Sequence, residues 1–334
     1  MNISKQTVIS AYLPPKVAPV NGDMESAVFS PSNIALCKYW GKRDAELNLP
    51  INSSLSISLA HLGTHTRILL SESGQDEVWL NGQQVENSDS FASKVISFIE
   101  LFRCGEKHAL KVETENNIPT AAGLASSASG FAALMQAVDK FYGLGLPLEV
   151  QSAFARMGSG SASRSIFTGF VEWQMGHRDD GMDSHAIPLQ ATWPDLRVGL
   201  VKVSTSPKAV DSRSGMNRTV ETAHLYQSWP LQAAADLEKL HQAIDESDFT
   251  LLGETAEQNA LSMHATMIAS WPPLLYWQPN SVAAMHSIWQ LRASGVPVYF
   301  TMDAGPNIKL LFTVDAEAEV KRAFPDLEVV APFA

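Results

Sequence analysis

NNIPTAAGLASSASGFAAL, residues 116–134, lies between the strand-like run ALKVETEN (109–116) and the helical run FAALMQAVDKFYGLG (131–145). Its central part, PTAAGLASSASG (119–130), is built almost wholly of small residues. Small residues let backbone N–H groups approach a ligand closely, and the positive end of the following helix favours phosphate. The hydroxyls of Ser126 and Ser127 add donors. The Lys of G-x-x-x-x-G-K-[ST] is absent, and so is G-x-G-x-x-G, which excludes a Walker loop and a dinucleotide fingerprint. Taken alone, the stretch reads equally well as a helix start packed against a sheet.

Its neighbours place it in an ordered pattern. TRILLSE (66–72) and DEVWLNGQQVE (76–86) read as neighbouring strands, with Asn81-Gly82 as a hairpin turn signal. FASKVISFIELFR (91–103) puts Phe91, Val95, Phe98, Ile99 and Phe102 on one helical face. Phe131, Leu134, Met135, Val138 and Phe141 follow the same spacing, and Gly143 is a stop. LEVQSAFARMG (148–158) predicts a further helix; FVEWQM (170–175) and LRVGLVKVS (196–204) predict strands. A polar turn region begins at 206, and LQAAADLEKLHQAIDE (231–246) and FTLLGETAEQNALSMHATM (249–267) predict long helices. VPVYFTMD (296–303), IKLLFTV (308–314) and a helix-then-strand tail complete the chain. This order predicts an α+β protein of two lobes. The division is an extension over 1–26, Pro-rich, polar and without helical period, a first lobe over 27–205, and a second over 206–334.

Composition limits the partners. The 334 residues carry 24 Lys and Arg against 35 Asp and Glu, a formal net charge of -11. Nucleic acid and anionic membrane both reward clustered positive charge, so neither is the expected partner. Cys37 and Cys104 cannot form a disulfide framework and have no zinc-ligand spacing, which points to a reducing cytoplasm. The N-terminus has no continuous apolar core of the secretory kind, and no run is apolar over the roughly 18–20 residues that span a bilayer. The nine histidines show no clustered ligand spacing.

Against that acidic background, KYWGKR (38–43) gathers three cations and two aromatics in six residues. It suits a small, highly charged anion, or else a strand end whose lysine stems lie over Tyr39 and Trp40. RMGSGSASRS (156–165) sets two glycines and three serines between Arg156 and Arg164, with a fourth serine after Arg164, and either arginine offers a planar fork for a carboxylate. In TMDAGPN (301–307), Asp303 ends an apolar strand before Gly305-Pro306. There it is a turn former or a carboxylate at a cleft rim.

In order along the chain stand NIALCKYWGKRDAELNLPINSSLSISL, NNIPTAAGLASSASGFAAL, GSGSASRSIFTGFVEW, SRSGMNRTVET, MHATM and DAGPN. Together they closely resemble the diphosphomevalonate decarboxylases of the GHMP kinase superfamily, from about residue 27 to the C-terminus. The first motif is the specific one; the glycine-rich motif alone marks only the superfamily. The resemblance implies an N-terminal lobe like domain 2 of ribosomal protein S5, a ferredoxin-like C-terminal lobe and an active site between them. It implies that ATP, with Mg2+, and (R)-5-diphosphomevalonate give isopentenyl diphosphate, CO2, ADP and phosphate. A cytoplasmic homodimer is expected.

Roles follow by resemblance. Asp303 matches the catalytic aspartate facing the C3 hydroxyl, Lys38 its cationic neighbour, Arg156 the arginine on the substrate carboxylate, and Asn33 a residue that orients it. Tyr39, Lys42, Ser159, Ser161, Ser212 and Arg213 match the diphosphate-binding set. Ala122, Gly123, Ser126 and Ser127 fall in the ATP phosphate loop. No carboxylate matches the magnesium-binding acid of other GHMP kinases, so no protein metal ligand is assigned. Cys37 and Ser163 depart from common family residues without touching an assigned role. Three alternatives stay open: a decarboxylase of the 5-monophosphate, a 3-kinase without decarboxylation, and a non-catalytic sensor.

Overall fold

The computed structural model describes residues 3–20, 26–118, 126–204 and 209–333. Ala122 and Gly123 of the expected phosphate loop lie outside the described residues. The extension is the first correction: Pro-rich composition predicts no helix, yet α1 (Lys5–Ser10) forms, with the Ser4 hydroxyl accepting from the Thr7 amide. Val8 and Ile9 are buried in the same apolar cluster as Leu47, Leu49 and Phe154. The Tyr12 ring meets Phe154 edge-on at 5.8 Å. Six residues are too few to display a periodic stripe, and so short a helix depends on tertiary burial.

β1 (Val28–Cys37) runs antiparallel to the long β4 (Ser54–Leu70). Between them in sequence, β2 (Lys42–Asp44) and β3 (Leu49–Pro50) make a small ribbon. β5 (Glu77–Leu80) and β6 (Gln83–Val85) form the expected hairpin. Asn81 and Gly82 both have positive φ, 51° and 77°, as a type I′ turn requires. α2 (Ser90–Glu100) buries Ala92, Val95, Phe98 and Ile99. β7 (Leu110–Asn116) then pairs antiparallel to β4 and parallel to β5. The stretches 66–72 and 76–86 are therefore not neighbours; β7 separates them. A parallel pairing needs a crossover, here through α2, and leaves no mark in either strand's own sequence.

α3 (Ser126–Tyr142) stops at Gly143, whose φ is 59°. Its small residues let it lie close on the sheet: Ser129 Oγ is 2.7 Å from Thr64 Oγ1 and accepts from Ser32 Oγ at 3.2 Å. α4 (Leu148–Gly158) leads into a 3-10 helix over Gly160–Ile166, then β8 (Phe170–Trp173) and β9 (Ala186–Pro188). Among the described residues the first sheet has seven strands, β6-β5-β7-β4-β8-β9 with β1 also on β4.

β10 (Leu196–Val201) belongs to the second sheet, although the span 27–205 placed it in the first lobe. It is followed by α5 (Ser212–Thr222), which occupies the expected polar turn region, then α6 (Trp229–Glu246), α7 (Phe249–Ile268) and α8 (Pro279–Ala293). α8 has no sequence signature because only Ser281, Met285 and Ile288 are buried along it. β11 (Val298–Thr301), β12 (Ile308–Thr313), α9 (Glu317–Ala323) and β13 (Glu328–Val330) complete the lobe. The sheet order is β11-β12-β10-β13, and every pairing is antiparallel. One apolar cluster joins the lobes: Ile34, Leu36, Leu55 and Ile57 of the first sheet pack with Trp229 of α6 and Met263 and Met267 of α7.

Candidate active site

A cavity of about 560 Å³ lies where the two lobes meet. Its floor is the chain just beyond β1. The Lys38 amide donates to Asn259 Oδ1 at 2.8 Å, and Asn52 Nδ2 donates to the Lys38 carbonyl at 3.0 Å. The Tyr226 hydroxyl donates to the Trp40 carbonyl at 2.9 Å. Gly41 turns the chain at φ 116°, and a Cβ there would come within 1.6 Å of Tyr226 Oη. Glycine is required by both conformation and space.

Lys38 is 1% exposed, and its Nζ donates to the Ala35 carbonyl at 2.8 Å and to Asp303 Oδ1 at 2.9 Å. Burial pulls its pKa below the ordinary lysine value, and Asp303 opposes that shift. Asp303 follows β11, with its side chain 31% exposed; its other oxygen lies 3.5 Å from Lys309 Nζ. His264 Nε2 is 3.0 Å from the Asp303 carbonyl. Burial pushes the His264 pKa down to about 4, so the ring is neutral at neutral pH and Nε2–H is the donor. Asp303 is therefore a cleft carboxylate held by cations rather than a turn former alone.

Arg156 stands apart from the other expected site residues. It is 0% exposed and does not line the cavity. Nη1 donates to the Leu47 carbonyl at 2.6 Å and Nη2 to the Gly181 carbonyl at 3.0 Å. It ties two loops together beneath the site. Arg164 lines the cavity instead. Its Nη1 donates to Ser54 Oγ at 2.5 Å, while Nε and Nη2 both donate to Asn33 Oδ1 at 3.3 Å. Asn33 Nδ2 is itself fixed by Ser165 Oγ at 2.8 Å. Burial lowers the pKa of Arg156 to about 9 and of Arg164 to about 10, which leaves both cationic at neutral pH. Two arginines flank one Gly-Ser loop, and spacing alone does not say which points inward.

Tyr39, Lys42, Ser159, Ser161, Ser212 and Arg213 all line the same cavity. Lys42 Nζ donates to Asn48 Oδ1 at 2.6 Å. Burial, then Arg213 and Lys5, push its pKa down to about 8. The Tyr39 hydroxyl is buried without a hydrogen-bond partner, and burial raises its pKa. An orphaned hydroxyl beside Lys42 and Arg213 suits an anion that would complete it. Arg213 lies in the first turn of α5, whose amides are capped by Asp211.

Ser126 and Ser127 open α3 and are exposed. A second cavity of about 280 Å³ adjoins there, lined by α2, α3 and the sheet, and shares Lys94, Ser127 and Phe131 with the first. Lys94, Arg164 and Lys309 are cations that the assigned roles missed. Lys94 had no sequence signal, being a single lysine among the polar positions of an amphipathic helix. Among the described residues no group of three or more His, Cys, Asp and Glu is placed to hold a metal ion. The oxygen donors that line the cavity, Asp303 and the hydroxyls of Ser127 and Ser159 among them, suit a hard cation carried on phosphate oxygens.

Comparison with known proteins shows the family. The family model for the diphosphomevalonate decarboxylase-like N-terminal domain matches residues 30–186, and that for the mevalonate 5-diphosphate decarboxylase C-terminal domain matches 199–328. Relatives include the diphosphomevalonate decarboxylase of Candida albicans, 38% identical over 304 residues and covering 86% of this chain and 84% of that one. The human protein of the same name is 36% identical over 307 residues, covering 86% and 76%. Among solved structures, mevalonate diphosphate decarboxylase from Staphylococcus aureus has a TM-score of 0.86 at 38% identity, over 92% of this chain and 96% of that one. A complex of MDDEF with MVAPP, AMPPCP and magnesium has a TM-score of 0.85 at 41% identity, over 92% and 97%. The two-lobed α+β architecture is that of the GHMP kinase fold. With both halves matched and the charged cleft formed where they meet, the chain belongs to the diphosphomevalonate decarboxylase family.

Proposed function

We propose that this chain decarboxylates (R)-5-diphosphomevalonate at the expense of ATP, giving isopentenyl diphosphate, CO2, ADP and phosphate. The observation that carries the reading is the Lys38–Asp303 pair, at 2.9 Å, in the same cavity as the Asn33–Arg164 pair, Lys42 and Arg213. A reacting hydroxyl, a carboxylate and a diphosphate each have a counterpart there.

The chemistry follows from the charges. Hydroxide is a poor leaving group, so the C3 oxygen must first accept a phosphoryl group. Asp303, ionised beside Lys38, orients that hydroxyl and accepts its proton, worth roughly 10²–10⁴-fold for a positioned base. Phosphoryl transfer otherwise demands positioning and neutralisation of charge, supplied by Ser126, Ser127 and Lys94 beside the nucleotide. Bound magnesium would neutralise phosphate charge. As phosphate leaves, positive charge grows at C3, the carboxylate releases CO2, and its bonding electrons form the double bond. Arg164, oriented by Asn33, holds that carboxylate in place; Arg156 keeps a structural role. Tyr39, Lys42, Ser159, Ser161, Ser212 and Arg213 hold the diphosphate.

We assign the lobes as dividing between Pro188 and Leu196, where the chain passes from one sheet to the other. Among the described residues no helix is long and apolar enough to cross a membrane. Two free cysteines, Cys37 buried and Cys104 half-buried, support a cytoplasmic setting, and a homodimer is proposed from the family alone. The purified protein with Mg-ATP and each mevalonate phosphate in turn tests the activity. ADP and CO2 should appear one for one with the 5-diphosphate. Better turnover of the 5-monophosphate, or ADP without CO2, would overturn the assignment in favour of the corresponding alternative.

A further inference from the structure

β12 carries a lysine inside an apolar strand. Ile308, Leu310, Leu311 and Phe312 are fully buried, and Lys309 between them is 1% exposed. Strand alternation divides these residues. Ile308, Leu310 and Phe312 pack in the core with Met285 and Ile288 of α8, whereas Leu311 joins the cluster that bridges the lobes. Lys309 shares the face of Leu311, so its stem runs toward β1 and α7. A buried ammonium is costly unless it is paired, so core packing does not explain a lysine here. Its Nζ lies 3.5 Å from Asp303 Oδ2, while Lys38 Nζ lies 2.9 Å from Oδ1.

Among the described residues, charged or titratable groups face Asp303 from four different elements. They are Lys38 after β1, Lys309 on β12, Arg164 on the 3-10 helix and His264 on α7. His264 holds the backbone carbonyl, and the two lysines hold the two carboxylate oxygens. A carboxylate bound through one oxygen keeps a broad torsion about its Cβ–Cγ bond. Bound through both, it has a set plane. Each oxygen retains a lone pair for a further donor, so the double hold leaves room for a substrate hydroxyl.

We propose that Lys309 is a positioning residue for the reaction: by holding the second oxygen of Asp303 it sets the plane of the carboxylate toward the C3 hydroxyl. This rests on the functional reading of Asp303 above. In this role Lys309 acts through the Asp303 carboxylate rather than on a substrate atom.

The test uses Lys309→Met, which keeps length and apolar bulk but removes the charge, and Lys309→Gln, which can still donate to Oδ2. One-for-one release of ADP and CO2 by the parent protein is established first; failure there defeats the functional reading and not this one. The Met variant should bind ATP and diphosphomevalonate within about threefold of the parent while kcat falls by about 10- to 100-fold, the loss expected of a misaligned reacting group. The Gln variant should recover part of that loss. In an Asp303→Asn background, Lys309→Met should cause no further fall, because its effect passes through the carboxylate. A Met variant with more than half the parent kcat would overturn the proposal. So would a double variant whose losses multiply, which would give Lys309 a role of its own. If the Met variant does not fold, Lys309→Leu takes its place: kcat above half the parent value, or a loss that persists in full in the Asn background, overturns the proposal.

Discussion

Lys38 and Asp303 stand 265 residues apart in the chain and meet at 2.9 Å across the two lobes. Neither residue makes a site alone. Lys38 is placed by Asn52 from its own lobe and by Asn259 from the other. Asp303 is placed by the end of β11 and by His264. The proposed reacting centre therefore exists only when the lobes are packed together, and variants of single residues probe how the parts divide the work.

Asp303→Asn keeps shape and turn preference while deleting charge and basicity. Both ligands should bind at least as tightly as in the parent, since one negative charge leaves an anion-binding cleft. Turnover should fall by at least about 10²-fold. Titration calorimetry and the coupled ADP and CO2 assay together check this; a variant that folds, binds and keeps a tenth of its turnover would remove Asp303 as the base.

Arg164→Gln and Arg156→Gln should fail differently. Arg164 lines the cavity, so its loss should strike turnover and leave ATP affinity and thermal stability near the parent values. Arg156 holds the Leu47 and Gly181 carbonyls, so its loss should lower unfolding free energy by about 1–3 kcal/mol. Denaturant melts run beside the kinetics separate the pair, and exchanged phenotypes would restore Arg156 to the carboxylate.

Lys42 is protonated below its pKa of about 8 and loses its charge as pH rises through that value. A diphosphate binds the protonated form better and raises the lysine's pKa in return. The substrate Kd should thus be flat from about pH 7 to 8 and then weaken by up to about tenfold per unit. Lys42→Met should bind more weakly at neutral pH and lose that alkaline limb. An unchanged limb in the Met variant would assign it to another group.

Ile9→Ala tests whether the extension is part of the folded body. Ile9 is 0% exposed, and truncation of such a residue costs about 2–5 kcal/mol. Equilibrium urea unfolding measures it, and a loss below about 0.5 kcal/mol would mean that α1 adds little.

Local chemistry made much of this protein legible from sequence. The Asn81-Gly82 hairpin, the apolar face of α2 and the Gly143 stop each depend on residues a few positions apart, where turn geometry and helical spacing act directly. The KYWGKR, Gly-Ser and DAGPN stretches stood out for the same reason, charge and small residues clustered within one segment, and residues of all three line the cavity. Tertiary structure alone decided what depends on separation in the chain. It set β7 between β4 and β5, drew β10 into the second sheet and seated α1 on Leu47 and Phe154. It also chose between two arginines eight positions apart, burying Arg156 against carbonyls and turning Arg164 into the cleft. It placed Lys309, which in sequence is one polar residue in an apolar strand, against Asp303. Spacing along a chain specifies which face a side chain occupies, whereas only packing between elements specifies what that face meets.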